Sequence, residues 1–326
     1  MANSLVFQII TLLCFLSAMA NCVQFNYPAV FNFGDSNSDT GELVAALGDI
    51  LNPPHGQNYF KAPSGRFCDG RLIVDFLMDA MDLPFLNAYL DSIGIPSFRK
   101  GCNFAAGVDH PTGFSTSFKG KRLDKYLPGQ DYFQKGLYMF DIGQNDLAGA
   151  FYSKTYDQVL ASIPTILIEF ETGIKVRFEN IVCSSFSGFP MFSSCSLGIL
   201  CRHYDQGARN FWIHNTGPLG CLAQNVAKFG TDPSSLDERG CVSKHNQAAK
   251  VFNLQLHALT KKLQGQYTDS NFTYVDIYTI KYNLISNYSK LGFEQPIMAC
   301  CGFGGPPLNY DSRIACGKRK RLMEPQ

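Results

Sequence analysis

The stretch Phe31 to Gly41, FNFGDSNSDTG, decides how the rest of the chain is read. It grows out of Ala29 to Phe33, a short apolar run bounded by Pro28 and Gly34, which has the character of a buried strand. Behind it, several capping side chains precede Glu42 to Ile50, ELVAALGDI, a helix-compatible segment. Ser36 therefore falls at a strand-to-helix turn. A serine there is most often a helix cap. It can also be a nucleophile: Gly34 lets the strand turn sharply, and the following helix supplies backbone N–H groups and a positive dipole end. A hydroxyl is a weak nucleophile by itself, so that chemistry also needs a base and donors aimed at the oxyanion. The local residues leave both readings open.

Working outward, Leu137 to Ile142, LYMFDI, reads as a second buried strand ending in GQND. Thr155 to Lys175 has helical composition interrupted by Pro164. Asn210 to His214, NFWIH, is a further strand running into the breaker-rich NTGPLG. Between Ser234 and Gln266, Val242, Ala248, Val251, Phe252, Leu256, Leu259 and Leu263 recur mostly at steps of three and four, which predicts a long amphipathic helix. Phe272 to Tyr278, FTYVDIY, returns to strand character. This alternation predicts one α/β domain: a mostly parallel sheet with helices on both faces. Sites in such sheets gather beyond the carboxyl ends of the strands, where Ser36, Asn145 and the turn after His214 all fall.

With 326 residues, 45% apolar and 17% charged, the chain can bury one large core. A formal charge of +1 provides no field to recruit nucleic acid or an anionic membrane. Leu5 to Leu16 followed by Ala18-Met19-Ala20 has the form of a secretory signal peptide, residues 1–20, leaving a domain over 21–317. The run is short for a membrane span, and no other stretch approaches the roughly 20 apolar residues one needs. Secretion implies an oxidising compartment for the cysteines; of twelve, Cys14 leaves with the signal, and the eleven remaining are an odd number. Asn271-Phe272-Thr273 and Asn287-Tyr288-Ser289 are glycosylation sequons that fit the same compartment. The adjacent Cys300-Cys301 lacks zinc-ligand spacing and suits disulfides better. No residue set signals a metal or organic cofactor. Two segments depart from the strand-and-helix rhythm: Val176 to His203, an atypical insertion without sustained periodicity, and the basic tail Lys318 to Gln326.

Taken together, the blocks FNFGDSNSDTG, GCNFAAG (Gly101 to Gly107), FDIGQNDL (Phe140 to Leu147), FWIHNTGPLGC (Phe211 to Cys221), YVDIYTIKYNLI and CCGFGGPPLNY resemble those of the plant GDSL esterase/lipases of the SGNH hydrolase superfamily. Asn37 stands where the family name has Leu. The resemblance implies a flavodoxin-like three-layer fold and hydrolysis of carboxylic esters by a serine nucleophile. Ser36 matches the nucleophile. Its own N–H, the N–H of Gly107 and the side-chain amide of Asn145 match the oxyanion hole. An amide suits that last role because it donates without burying a charge. Asp35, Asp39 and Asp146 look like caps and turn formers rather than catalytic acids. Lipids, acylated sugars and small acylated metabolites are all compatible substrates.

The pattern departs from the family in one block, the Asp-x-x-His in which His is the general base and Asp orients it. No Asp stands three residues before any of the six His, so no catalytic His or Asp is assigned. His214 lies at a strand end but matches a position without a catalytic role, and a hydrogen-bonded structural histidine is expected there. The resulting expectation is a secreted ester hydrolase, C-terminally truncated relative to its family and impaired for want of a base. The alternative is a secreted glycoprotein that binds an ester or glycan without turnover.

Overall fold

A computed structural model describes residues 25–48, 51–91, 97–106, 128–175, 207–299, 305, 307–311 and 316. The expectations for the signal peptide, Gly107, the 176–203 insertion, Cys300-Cys301 and the basic tail lie outside these residues. Five parallel strands form one sheet in the order β2-β1-β3-β4-β5: β1 Val30–Phe33, β2 Gly101–Asn103, β3 Leu137–Asp141, β4 Asn210–His214 and β5 Asn271–Val275. The helices are α1 Glu42–Leu47, α2 Ile73–Ala80, α3 Gln130–Lys135, α4 Gln144–Ala150, α5 Tyr156–Lys175, α6 Ala223–Phe229, α7 Ser243–Gln266 and α8 Ile277–Ser286. This is the expected α/β architecture, with a parallel sheet flanked by helices.

Strand register follows from the aromatic residues. Phe31, Tyr138, Phe211 and Phe272 are successive cross-strand partners on β1, β3, β4 and β5. Their rings run across the sheet at centroid distances of 4.8, 5.9 and 4.6 Å. Because side chains alternate along a strand, a slip of one residue would turn all four rings to the opposite face. That face packs on Val159, Ile163, Leu167 and Phe170 of α5 and on Ala248, Phe252, Leu256 and Leu263 of α7. The opposite face is smaller, with Val30, Leu137 and Met139 against Val74 and Met78 of α2.

Several boundaries differ from the sequence reading for local reasons. The long helix α7 starts at Ser243, not near Ser234. Asp232 caps a 3-10 turn at Pro233–Ser235, and a Cys221–Cys241 disulfide closes the loop before the helix begins. The segment FTYVDIY divides: β5 ends at Val275, and the Asp276 side chain accepts from the Thr279 N–H to start α8. Pro164, in contrast, is accommodated inside an unbroken α5. The short β2 was missed because GCN is too brief to show a period.

Candidate active site

Ser36 lies three residues beyond the end of β1, in a turn rather than at a helix start. Helix α1 begins only at Glu42, and its first turn is capped by Asp39, which accepts from Gly41 N (2.7 Å), Glu42 N (2.6 Å) and Leu43 N (3.2 Å). The helix therefore has its cap elsewhere. Among the described residues the Ser36 hydroxyl makes no hydrogen bond, and the residue is only half-buried. The expectation that a following helix aims its dipole at Ser36 is not met: α1 is six residues long and is separated from the serine by the Asp39 cap.

Gly34 serves close approach. Its φ is not in the left-handed region; instead a Cβ there would stand 2.6 Å from Ser38 Oγ and 3.2 Å from the Asp141 carbonyl at the end of β3. The expected sharp turn thus needs glycine for space and not for backbone freedom. Gly143, at the start of GQND, needs both: its φ is 101°, and a Cβ would run into the Phe252 ring of α7. That turn leads Asn145 into the first turn of α4, where its side chain is exposed, at the carboxyl end of the strand beside β1.

The site also contains charge that the sequence did not flag. Burial and the neighbouring Asp141 push the Asp35 carboxyl from 3.8 up to about 7, against the hydrogen bonds it accepts from Asn37 N (2.8 Å) and Asn37 Nδ2 (2.9 Å). Asp35 is thus the expected turn former, and it is also a carboxyl close to neutrality. Burial raises Asp141 as well. Lys281, from α8, pulls in the opposite direction on both carboxyls. A Cβ at Gly217 would stand 3.1 Å from Lys281 Cδ, so the glycine after β4 leaves room for this side chain. Lys281 had one sequence signal, its place in YVDIYTIKYNLI. Only the cap at Asp276 turns that segment into a helix facing the strand ends.

His214 and Asp141 are cross-strand partners at the ends of β4 and β3. The expected hydrogen-bonded histidine is found only in part: His214 is buried, but its Nε2 has no partner. Desolvation, helped by Lys281, lowers its pKa from 6.5 to about 4, so the ring is neutral. The other described histidines each have a different neighbour. His55 Nδ1 is 2.8 Å from the Asn52 carbonyl, His245 stacks on Phe151 at 3.7 Å, and His257 stacks on Tyr274 at 4.5 Å. The sequon residues Asn271 and Asn287 are both exposed, at the start of β5 and the end of α8.

A serine in the turn beyond β1 and an asparagine with an exposed side chain just beyond the adjacent β3 thus lie at the same carboxyl edge of the sheet. Comparison with known proteins gives the family. The family model described as GDSL-like Lipase/Acylhydrolase matches residues 30–313, and the chain belongs to that family of carboxylic ester hydrolases. It is 54% identical over 365 residues to the protein named GDSL esterase/lipase At1g54790 of Arabidopsis thaliana, covering 95% of this chain and 83% of the relative. It is also similar to Alpha-L-fucosidase 3 of Arabidopsis thaliana, at 39% identity over 341 residues, 95% of this chain and 84% of the relative. GDSL esterase/lipase ACHE of Zea mays is 37% identical over 328 residues, covering 91% of this chain and 76% of the relative.

Proposed function

We propose that this chain is a secreted ester hydrolase in which Ser36 is the nucleophile, with the Ser36 N–H, the Gly107 N–H and the Asn145 amide stabilising the oxyanion. The observation that carries this reading is the uncommitted hydroxyl of Ser36, in a turn where Asp39 does the capping. A serine retained for structure would be expected to spend its hydroxyl on a backbone group. In the reaction Ser36 Oγ bonds to the ester carbonyl carbon, and the alcohol departs with the proton that Ser36 gives up. Water then adds to the acyl group and restores the serine.

The substrate is an ester of a lipid, an acylated sugar or an acylated metabolite. The apolar N-terminus and the exposed sequon residues Asn271 and Asn287 support secretion as a glycoprotein to the extracellular space or cell wall. Among the described residues no helix is long and apolar enough to cross a membrane. Turnover by these 326 residues is proposed to be slow, because they contain no Asp-x-x-His. In a serine protease the loss of the base costs about 10⁶ in kcat, with the oxyanion hole supplying the remainder. The placement of the described histidines favours, as a second reading, a glycoprotein that binds an ester or glycan without turning it over.

Fluorophosphonate labelling and hydrolysis of p-nitrophenyl acetate and butyrate, in the wild type and Ser36→Ala, test both readings. Labelling of Ser36 with slow hydrolysis supports the proposal. Ser36-dependent turnover near the ordinary enzyme median, about 10 s⁻¹, refutes the impairment. Ligand binding without any labelling favours the second reading. N-terminal sequencing of protein recovered from culture medium checks secretion, with Asn21 as the expected first residue.

A further inference from the structure

We propose that the buried amides of Asn32 and Asn103 are positioning residues that lock the Ser36 turn to the Phe104–Ala106 segment, so that the nucleophile and the chain facing it move as one unit. The inference rests on the reading of Ser36 as nucleophile for its consequence in catalysis, but the lock itself is a matter of geometry. The carbonyl of Ser38, two residues after the serine, accepts from Asn103 Nδ2 at 2.6 Å and from Asn32 Nδ2 at 3.3 Å. Asn32 Nδ2 also donates to Asn103 Oδ1 at 2.8 Å, and that same oxygen accepts from the Ala105 N–H at 2.9 Å. Asn103 Nδ2 reaches Thr40 Oγ1 at 2.9 Å. One amide group thus holds both sides: its nitrogen grips the turn after β1, and its oxygen grips the chain leaving β2.

Residue type and location explain why this needs asparagine. Asn32 and Asn103 are 1% and 0% exposed, so water cannot replace a lost partner. Only a carboxamide offers two donors and an acceptor in a small neutral group. An aspartate at 103 would aim a lone-pair oxygen at the Ser38 carbonyl and bring a charge into a dry site. Backbone bonds alone hold the two segments loosely. Strand β2 is three residues long and lies at the edge of the five-stranded sheet, pairing with β1 on one side and, through the single bridge of Asn103 to Ala88, on the other. Beyond its end, the backbone links are Phe104 N to Asn32 O at 2.8 Å and Ala106 N to Gly34 O at 3.3 Å. Displacements of about 1 Å at a nucleophile can cost on the order of 10²-fold in rate. A side-chain lock across this edge is therefore placed where it governs the rate rather than substrate affinity.

Two measurements on the full chain test the proposal, using Asn103→Asp, Asn32→Ala and, as a control that leaves the Ser38 contacts in place, Thr40→Val. Hydrogen–deuterium exchange read by mass spectrometry should show Asn103→Asp and Asn32→Ala speeding exchange together in peptides covering 35–41 and 102–106. Thr40→Val should change both much less. Faster exchange in one segment alone, or in neither, overturns the lock. A global loss of protection in Asn103→Asp with Asn32→Ala still native moves the decision to Asn32→Ala, by the same criterion. The second measurement is the rate of fluorophosphonate reaction at Ser36, expected to fall about 10–100-fold in Asn103→Asp while half-saturation by a p-nitrophenyl ester is unchanged. Equal labelling of wild type and Asn103→Asp overturns the positioning role. A wild-type chain that is never labelled, but whose two segments exchange in concert, removes the Ser36 reading and leaves the lock in place.

Discussion

The carboxyl ends of β1 and β4 are both held by buried asparagines, and they differ in the groups those asparagines surround. After β4, Thr216 exchanges two hydrogen bonds with the Asn253 amide (3.0 and 2.9 Å), Gly220 N donates to Asn246 Oδ1 (2.8 Å), and Asn225 Nδ2 donates to the Leu219 carbonyl (2.7 Å). The Cys221–Cys241 disulfide closes the same turn. After β1, Asn32 and Asn103 hold the turn, the Ser36 hydroxyl makes no hydrogen bond among the described residues, and the preceding Asp35 carboxyl is raised by burial and by Asp141. Clamping by amides is common to both ends. What distinguishes the first is Asp35, a carboxyl whose pKa burial and Asp141 raise to about 7, adjoining the serine proposed as nucleophile.

The largest expected effect breaks this contrast directly. Ser36→Ala should abolish covalent labelling by a fluorophosphonate, measured by intact mass, while circular dichroism is unchanged. Labelling that persists at another residue would place the nucleophile elsewhere. Next, at the β4 end, removing the disulfide by Cys221→Ser with Cys241→Ser opens a 20-residue loop, at a cost of about 3 kcal/mol in urea unfolding. Slow turnover, if present, should persist at temperatures where that variant is folded.

A third prediction sharpens the electrostatic side. Burial and Asp141 raise the Asp35 pKa from 3.8 to about 7, so the folded state holds that proton more tightly than the unfolded chain does. The associated stability is fully present only below about pH 3.8 and is lost as pH rises from there through about 7. Asp35→Asn, which still accepts from Asn37 N, should therefore be more stable than wild type at pH 8, by about 2 kcal/mol, and nearly equal at about pH 3. Thermal melts across that range would show it, and equal stability at pH 8 would mean the carboxylate is better solvated than the structure indicates.

The smallest effect lies under the β4 turn. His245 is buried between Phe151 and Phe229 with neither ring nitrogen paired, and burial lowers its pKa from 6.5 to about 4. The sign is opposite to that of Asp35: the folded ring resists protonation, so stability falls as pH drops from about 6.5 toward 4. His245→Phe should remove that loss, gaining about 1 kcal/mol relative to wild type at pH 5.5 compared with pH 8.

Much of the fold was legible because its strands are short apolar runs between breakers, and Asn210 to His214 matched residue for residue. The helix start at Ser243 was not, since a local cap at Asp232 and a disulfide between cysteines 20 residues apart cannot be read as a period. In the turns beyond β1 and β3, motif order singles out Ser36 and Asn145, the residues proposed for catalysis, and Asp39 is expected as a cap, as found. The electrostatic coupling of Asp141, His214 and Lys281 was not legible, because it depends on neighbours on other strands or helices. The contacts of Asn32 and Asn103 were equally hidden: each looks like an ordinary polar residue in its segment until the Asn32 Nδ2 and Asn103 Oδ1 atoms are 2.8 Å apart.

The sequence by itself therefore determined the alternation of strands and helices, the family and the residue at the first turn, because these are written in contiguous patterns of side-chain type. The tertiary structure decided that Ser36 is not a cap, that Gly34 is required for space, and that Asp35 sits near neutrality. Those properties depend on burial and on atoms brought together from distant parts of the chain. Desolvation, steric approach and hydrogen-bond closure have no local signature in the order of residues.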